Sequence, residues 1–263
     1  MDVRDSLSVT KYQALGNDYL VVDDRARFEE ALSTAVALCD RHLGAGADGL
    51  LLLDADAAQM RVINPDGSEA EKSGNGVRIA AAHLVLRHRY SDAFTITVPA
   101  GPVAVRVLAV EGPEVTSEID VGLPLLGSPV RLNPPGVDAT PVDVGNPHCV
   151  VFGQPVTAER CRELGPVLER HPWFPERTNV QLAEAPDRAT VHIEIWERGA
   201  GYTLASGTSA AAAAAACMAR GLVGEQVRVL MPGGALLVRR QADGHLLQTG
   251  PARRVFRAEV ERP

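Results

Sequence analysis

Residues 73–84 read SGNGVRIAAAHL and residues 206–217 read SGTSAAAAAAAC, each a Ser-Gly pair leading into small apolar residues. Serine ahead of a helix-forming run is an N-cap signal, because its hydroxyl accepts from first-turn amides that have no intrahelical partner. Working outward, the same marks flank both stretches in the same order. LGNDYLVVDD (15–24) precedes the first and VGNPHCVVFG (144–153) the second, so Gly16-Asn17 falls opposite Gly145-Asn146. RVINPDGS falls opposite IEIWERGA, with Asn64 across from Glu197. The offset runs only from 129 (144 minus 15) to 133 (206 minus 73), which implies an internal duplication.

Between these marks lie short β-rich runs such as YLVVDD, GLLLLD, FTITVP, VAVRVLAV, CVVFG, VHIEIWE and VRVLMP. The clearer helical stretches are 77–89 and 210–220. The pattern is that of an α+β or α/β chain with many strands. A Pro/Gly-rich passage at 122–136 marks a boundary just upstream of it, around 114–118. The expected division is therefore an N-terminal lobe of 1–115, completed by 252–263, and a C-terminal lobe of 116–251. Lobes facing each other would bring both Ser-Gly turns to one cleft, around helices whose small side chains let strands approach closely.

At 263 residues and 46% apolar, the chain can fill a real core. A net charge of −7 excludes a generally basic surface for nucleic acid or anionic lipid. The N-terminus, MDVRDSLSVTKYQ, has no apolar core of a leader, and the longest apolar run, 210–219, is about half of what a bilayer span needs. A cytoplasmic protein is expected. Its four cysteines, Cys39, Cys149, Cys161 and Cys217, form no CxxC pair and no zinc spacing, so they are expected reduced and mostly buried, with no metal. GAGADG at 44–49 fits GxGxxG on paper, but a helical pattern precedes it and a strand follows, the reverse of a dinucleotide site.

The Ser-Gly turns carry chemistry as well as structure. Gly74-Asn75-Gly76 and Gly207-Thr208 offer free amides to an anion at a helix N-terminus. Two such termini on one carboxylate would stabilise an enolate-like charge. Around them stand Asn17, Asn64, Asn146, His148, Asn179, Glu197 and Arg198. An arginine that grips a carboxylate in a fork, a glutamate for an ammonium and several amides describe a pocket for a zwitterionic amino acid.

At these residues the sequence resembles the diaminopimelate epimerase family over essentially its whole length. The matching blocks are LGNDYLVVD, RHLGAGADGLLLL, NPDGSEAEKSGNGVRIAA, GNPHCVVF, RTNVQLAE, IEIWERGAGYTLASGTSA and MPGG. The resemblance implies an α+β fold of two pseudo-symmetric lobes, each a β-barrel-like sheet wrapped around a central helix. It implies an isomerase that needs no cofactor and inverts one α-carbon of LL-diaminopimelate to the meso form, feeding lysine and peptidoglycan synthesis. It implies a small-molecule amino-acid partner, no nucleic acid and no membrane, and leaves a homodimer open. By position, Asn17, Asn64, Asn146, Asn179, Glu197 and Arg198 would hold the substrate, Gly74, Asn75, Gly207 and Thr208 would cradle the reacting carboxylate, and His148 would stand beside the bases.

The departures fall on the bases themselves. The family uses one cysteine per lobe, on opposite faces of the α-carbon, where this chain has Ser73 and Ser206. Tyr202 stands where a Glu is usual, and Lys72 where an apolar residue is common. An aliphatic hydroxyl ionises ~5 units above a thiol, so forming the base costs on the order of 7 kcal/mol more. A serine therefore needs an accessory base. His148 is the first candidate, then Lys72, Tyr202 or Glu197. In the related proline-racemase-like proteins, Ser or Thr does replace one cysteine in some epimerases and dehydratases. The alternatives are a related isomerase or dehydratase acting on another amino acid, and a catalytically silent amino-acid-binding homologue.

Overall fold

The computed structural model describes residues 6–70 and 73–261, so Lys72 lies outside the described residues. The chain forms two compact units, one from the segment up to Ile119 together with the segment from Gly250 onward, the other Asp120–Thr249.

The first unit holds β1 (Ser6–Ala14), β2 (Asn17–Val22), α1 (Phe28–Cys39), β3 (Gly49–Asp54), β4 (Gln59–Ile63), β5 (Glu69–Ala70), α2 (Gly74–His88), β6 (Ala93–Val98), β7 (Gly101–Glu111) and most of β8 (Glu114–Gly122). The second holds β9 (Leu125–Leu126), β10 (Val130–Leu132), β11 (Val137–Asp143), β12 (Pro147–Phe152), α3 (Ala158–Glu169), β13 (Asn179–Asp187), β14 (Thr190–Glu197), β15 (Gly201–Thr203), α4 (Gly207–Ala219), β16 (Gln226–Met231) and β17 (Gly234–Arg240). The last strand, β18 (Leu246–Glu261), like β8, belongs partly to each.

The duplication read from the sequence is a duplication of topology. In the first unit β1 pairs antiparallel with β2, β2 parallel with β3, β3 antiparallel with β4, and β4 antiparallel with β5 and parallel with β6, which turns back into β7. In the second, β11 to β17 repeat every one of these relations in the same order. The first sheet closes through β7, β8, β18 and back to β1, so eight strands form a barrel. The fold is α+β, as the resemblance implied. At the equivalent turns, Gly16 and Gly145 hold φ of 87° and 97°, the left-handed region glycine enters without penalty.

Helix position follows from composition. The first turns of α2 and nearly all of α4 are buried on every side, and each helix packs against six strands of its own unit. Such a helix carries no polar face, and its small residues set how close the strands come. By contrast, α1 and α3 bury one stripe each, Ala31, Ala35, Leu38 and Cys39 in the first, Cys161, Leu164 and Leu168 in the second. Strands between the two helix layers are apolar on both faces: Tyr19, Val21, Leu51 and Leu53 pack toward α2, whereas Leu20, Val22, Leu50 and Leu52 pack with α1. This accounts for the unbroken runs YLVV and LLLL.

Candidate active site

Both Ser-Gly turns are helix caps. Ser73 is extended, φ −139° and ψ 109°, and its Oγ accepts from the Gly76 amide at 3.0 Å. Ser206 is extended likewise, φ −143° and ψ 127°, and its Oγ accepts from the Ser209 amide at 3.4 Å and lies 3.4 Å from the Thr208 hydroxyl. Each caps a helix whose axis begins at the serine, so the positive end of the dipole and the first-turn amides lie beside the hydroxyl.

In the first unit a chain of amides runs from the surface to the start of α2. Asp48 accepts from Asn17 Nδ2 at 3.0 Å, Asn17 Oδ1 accepts from Asn75 Nδ2 at 3.1 Å, and Asn75 Oδ1 accepts from the fully buried Arg78. Asp48 is fixed in turn by Arg41 at 2.6 Å, which also holds Asp18, and Lys11 closes on Asp18 at 2.6 Å. Burial alone would raise the Asp18 carboxyl, but the Arg41 and Lys11 hydrogen bonds hold it down to about 2. Asn17 and Asn75 are thus set by a charged network before any substrate arrives. Asn64 is not part of this chain: its Nδ2 donates to Ser68 Oγ at 3.0 Å, inside its own turn.

In the second unit Asn179 Oδ1 accepts from the Arg198 backbone amide at 3.0 Å while its Nδ2 donates to the Pro147 carbonyl at 3.0 Å. One amide side chain therefore ties the strand bearing His148 to the turn bearing Arg198. Glu169, buried on α3, accepts from Trp196 Nε1 at 2.8 Å and from the Gly199 amide at 3.1 Å, gripping the same turn from the other side. Arg198 itself is exposed, and its guanidinium donates to the Glu176 carbonyl at 3.2 Å.

His148 is wholly buried. Its Nε2 bonds Asn146 Oδ1 at 2.9 Å. Burial lowers its pKa to about 3, and the positive charge of Arg198 adds to this against the pull of Gln181. Gln181 donates to Ser209 Oγ at 3.0 Å, at the head of α4. A histidine of this kind is neutral throughout the physiological range and is no reservoir of protons there.

Tyr202 is turned away from the caps. Its phenol donates to Glu194 at 2.7 Å and Arg162 lies over its ring at 4.0 Å; burial, then the Glu194 bond, push it up to about 12. It is no accessory base. The ionisable group that sequence reasoning missed is Tyr19, whose Oη lies 3.4 Å from Ser73 Oγ. Arg78, Gln181 and Ser209 were missed as well, since each lies inside an apolar or small-residue run.

The diaminopimelate epimerase family model matches residues 9–122 and 140–255. Diaminopimelate epimerase of Synechococcus elongatus is 37% identical, covering 97% of this chain and 99% of that protein. The protein of the same description from Microcystis aeruginosa is 40% identical, covering 94% and 96%. Among solved structures, a hydroxyproline epimerase from Agrobacterium vitis, with trans-4-hydroxy-L-proline bound, aligns with a TM-score of 0.69 at 16% identity over 99% of this chain and 94% of that one. A protein from Pseudomonas aeruginosa described as a predicted epimerase aligns with a TM-score of 0.74 at 20% identity over 97% and 99%. These two likenesses concern the fold.

Proposed function

Because the chain belongs to the diaminopimelate epimerase family, we propose that it inverts one α-carbon of LL-diaminopimelate to the meso form, with Ser73 and Ser206 in the two proton-transfer roles. Inversion needs one group to take the α-proton and another to return a proton to the opposite face. The observation that carries the reading is the equivalence of the two capped helices: each unit puts a hydroxyl at the head of a buried small-residue helix, after the same succession of strands. The first-turn amides at Gly74, Asn75, Gly207 and Thr208 suit the carboxylate, onto which the carbanion's charge spreads. Asn17, Asn64, Asn146, Asn179, Glu197 and Arg198 are assigned to the rest of the substrate.

Restoring thiols tests this. Ser73→Cys with Ser206→Cys should raise α-proton exchange of diaminopimelate in D2O by orders of magnitude near neutral pH, since a thiolate forms far more readily at a helix N-terminus. Sulfur is the poorer cap acceptor, so a loss of roughly 1 kcal/mol of stability per site is expected alongside. A double-cysteine protein that binds diaminopimelate but leaves its α-proton in place would reduce the site to two helix caps.

One observation favours a second reading. An ionisable neighbour is present at Ser73 but, among the described residues, the hydroxyl of Ser206 meets only Thr208 and a backbone amide. A reaction with one abstracting base, such as elimination from an amino acid, would need only the first. Release of an unsaturated product or of ammonia from the native protein would establish it.

A further inference from the structure

We propose that Tyr19 is the accessory group that makes Ser73 a base, a role that rests on the amino-acid epimerase reading of the site. Tyr19 sits on β2 with its phenol buried, and its Oη and the Ser73 Oγ, 54 residues apart in sequence, meet at 3.4 Å, a long hydrogen bond that either hydroxyl can donate. The ring is held in that direction by its surroundings. Across the parallel β2–β3 pair its neighbour is Gly49, where an added Cβ would come within 2.7 Å of Tyr19 Cε1. No larger residue fits there without displacing the ring.

The geometry supplies what a serine lacks. Ser73 Oγ uses one lone pair to cap α2, accepting from Gly76. Its own proton must leave before it can take another. In the same surroundings a phenol is a far stronger acid than an alkyl hydroxyl, so a phenolate beside Ser73 is a more accessible state than a free alkoxide. With Tyr19 as phenolate, the step balances as follows. The α-carbon–hydrogen bond breaks and its electron pair stays on carbon, spreading into the carboxylate. Ser73 Oγ takes the proton, while the hydroxyl proton it held passes to Tyr19 Oη. Tyr19 touches no substrate and acts through Ser73, as a positioning residue.

Among the described residues, several charged groups of the elements around β2 have partners of their own. Lys11, Asp18, Arg41 and Asp48 close on one another, His83 on Asp23, and Arg78 on Asn75. Tyr12, the cross-strand neighbour of Tyr19 on β1, is pushed up to about 12, chiefly by burial, and so stays protonated where an ordinary phenol ionises. α1 covers the opposite face of the strand.

Tyr19→Phe removes one oxygen and keeps the ring. With diaminopimelate in D2O, it should lower kcat for α-proton exchange 10- to 100-fold, change KM less than threefold, and abolish the rise of rate with pH that the native protein should show toward the alkaline range. The deciding comparison is made in the Ser73→Cys background, where a thiol needs no helper: there Tyr19→Phe should change kcat less than threefold. Equal losses in both backgrounds would make Tyr19 a packing residue and overturn the proposal, as would a Tyr19→Phe protein that exchanges like the native one. Exchange by the Ser73→Cys protein with none by the native protein would also overturn it, since Ser73 would then have no working helper. Absence of exchange and of diaminopimelate binding in every variant, the double-cysteine protein included, would instead remove the epimerase reading on which the proposal rests.

Discussion

His148 Nε2 lies 2.9 Å from Asn146 Oδ1, and because an amide oxygen can only accept, that ring nitrogen carries the proton. The ring is therefore held as one neutral tautomer, in line with a pKa brought to about 3 by burial. The activity profile should show no limb from His148 between about pH 5 and 8. Ring-carbon NMR shifts of His148 should keep their neutral values down to about pH 4; a midpoint near the ordinary histidine range would contradict the burial argument.

Stability should have an acid limb and an alkaline limb. His148 and His83 both have folded pKa values lowered by burial, so the unfolded chain takes up protons first and stability, whole above pH 6.5, drains as pH falls below it. Asp23, held well below the ordinary carboxylate range by its hydrogen bond to His83, adds a loss of the same sign at lower pH. At the other end burial pushes Tyr12, Cys149, Cys161 and Cys217 up to about 12, so the unfolded chain loses those protons first and stability falls above pH 9. Each proton of difference is worth about 1.4 kcal/mol per pH unit. Urea titrations at acid, neutral and alkaline pH should give the highest midpoint in the middle; a flat profile would refute both limbs.

Arg198→Ala should weaken diaminopimelate binding at least tenfold, the loss of one charge-assisted pair with a carboxylate. Its guanidinium makes one bond to a surface carbonyl, at 3.2 Å, so the melting temperature should hardly move. Unchanged affinity by calorimetry would take Arg198 out of the pocket.

Gly165→Ala tests how the Arg198 turn is held. A Cβ there would lie 2.4 Å from Trp196 Cγ, a clash with a partly buried indole that already donates to Glu169. Overpacking of this kind costs about 1–3 kcal/mol. Because Glu169 also holds the Gly199 amide, substrate affinity should fall together with stability. A variant that loses stability and keeps its affinity would show that the turn does not depend on α3.

What was legible in the sequence was whatever is written locally or repeated. The Ser-Gly turns announce themselves as caps, the glycines of the Gly-Asn turns as left-handed positions, and the near-constant offset foretold a topology that repeats strand for strand. α3 was not foreseen, because AERCRELGPVLE interrupts its own helical signal with Gly165 and Pro166. What could not be read was side-chain direction. Tyr202, close to Ser206 in sequence, turns to Glu194, whereas Tyr19, 54 residues from Ser73, is brought to it only by the folding of the strands. Nor could the sequence show that the Asn64 amide donates to Ser68 within its own turn, as asparagines in such loops commonly do.

Ala210–Ala216, seven alanines in a row, has the look of filler, the kind of tract in which substitutions pass unnoticed. Encircled by six strands and with each residue at most 3% exposed, it has room on no side. A helix that turns one face to water can hide a longer side chain there; this one has no such face. Permissible variation is therefore smallest where the alphabet is poorest, and the plainest segment of the chain is the gauge to which the strands of its unit are fitted.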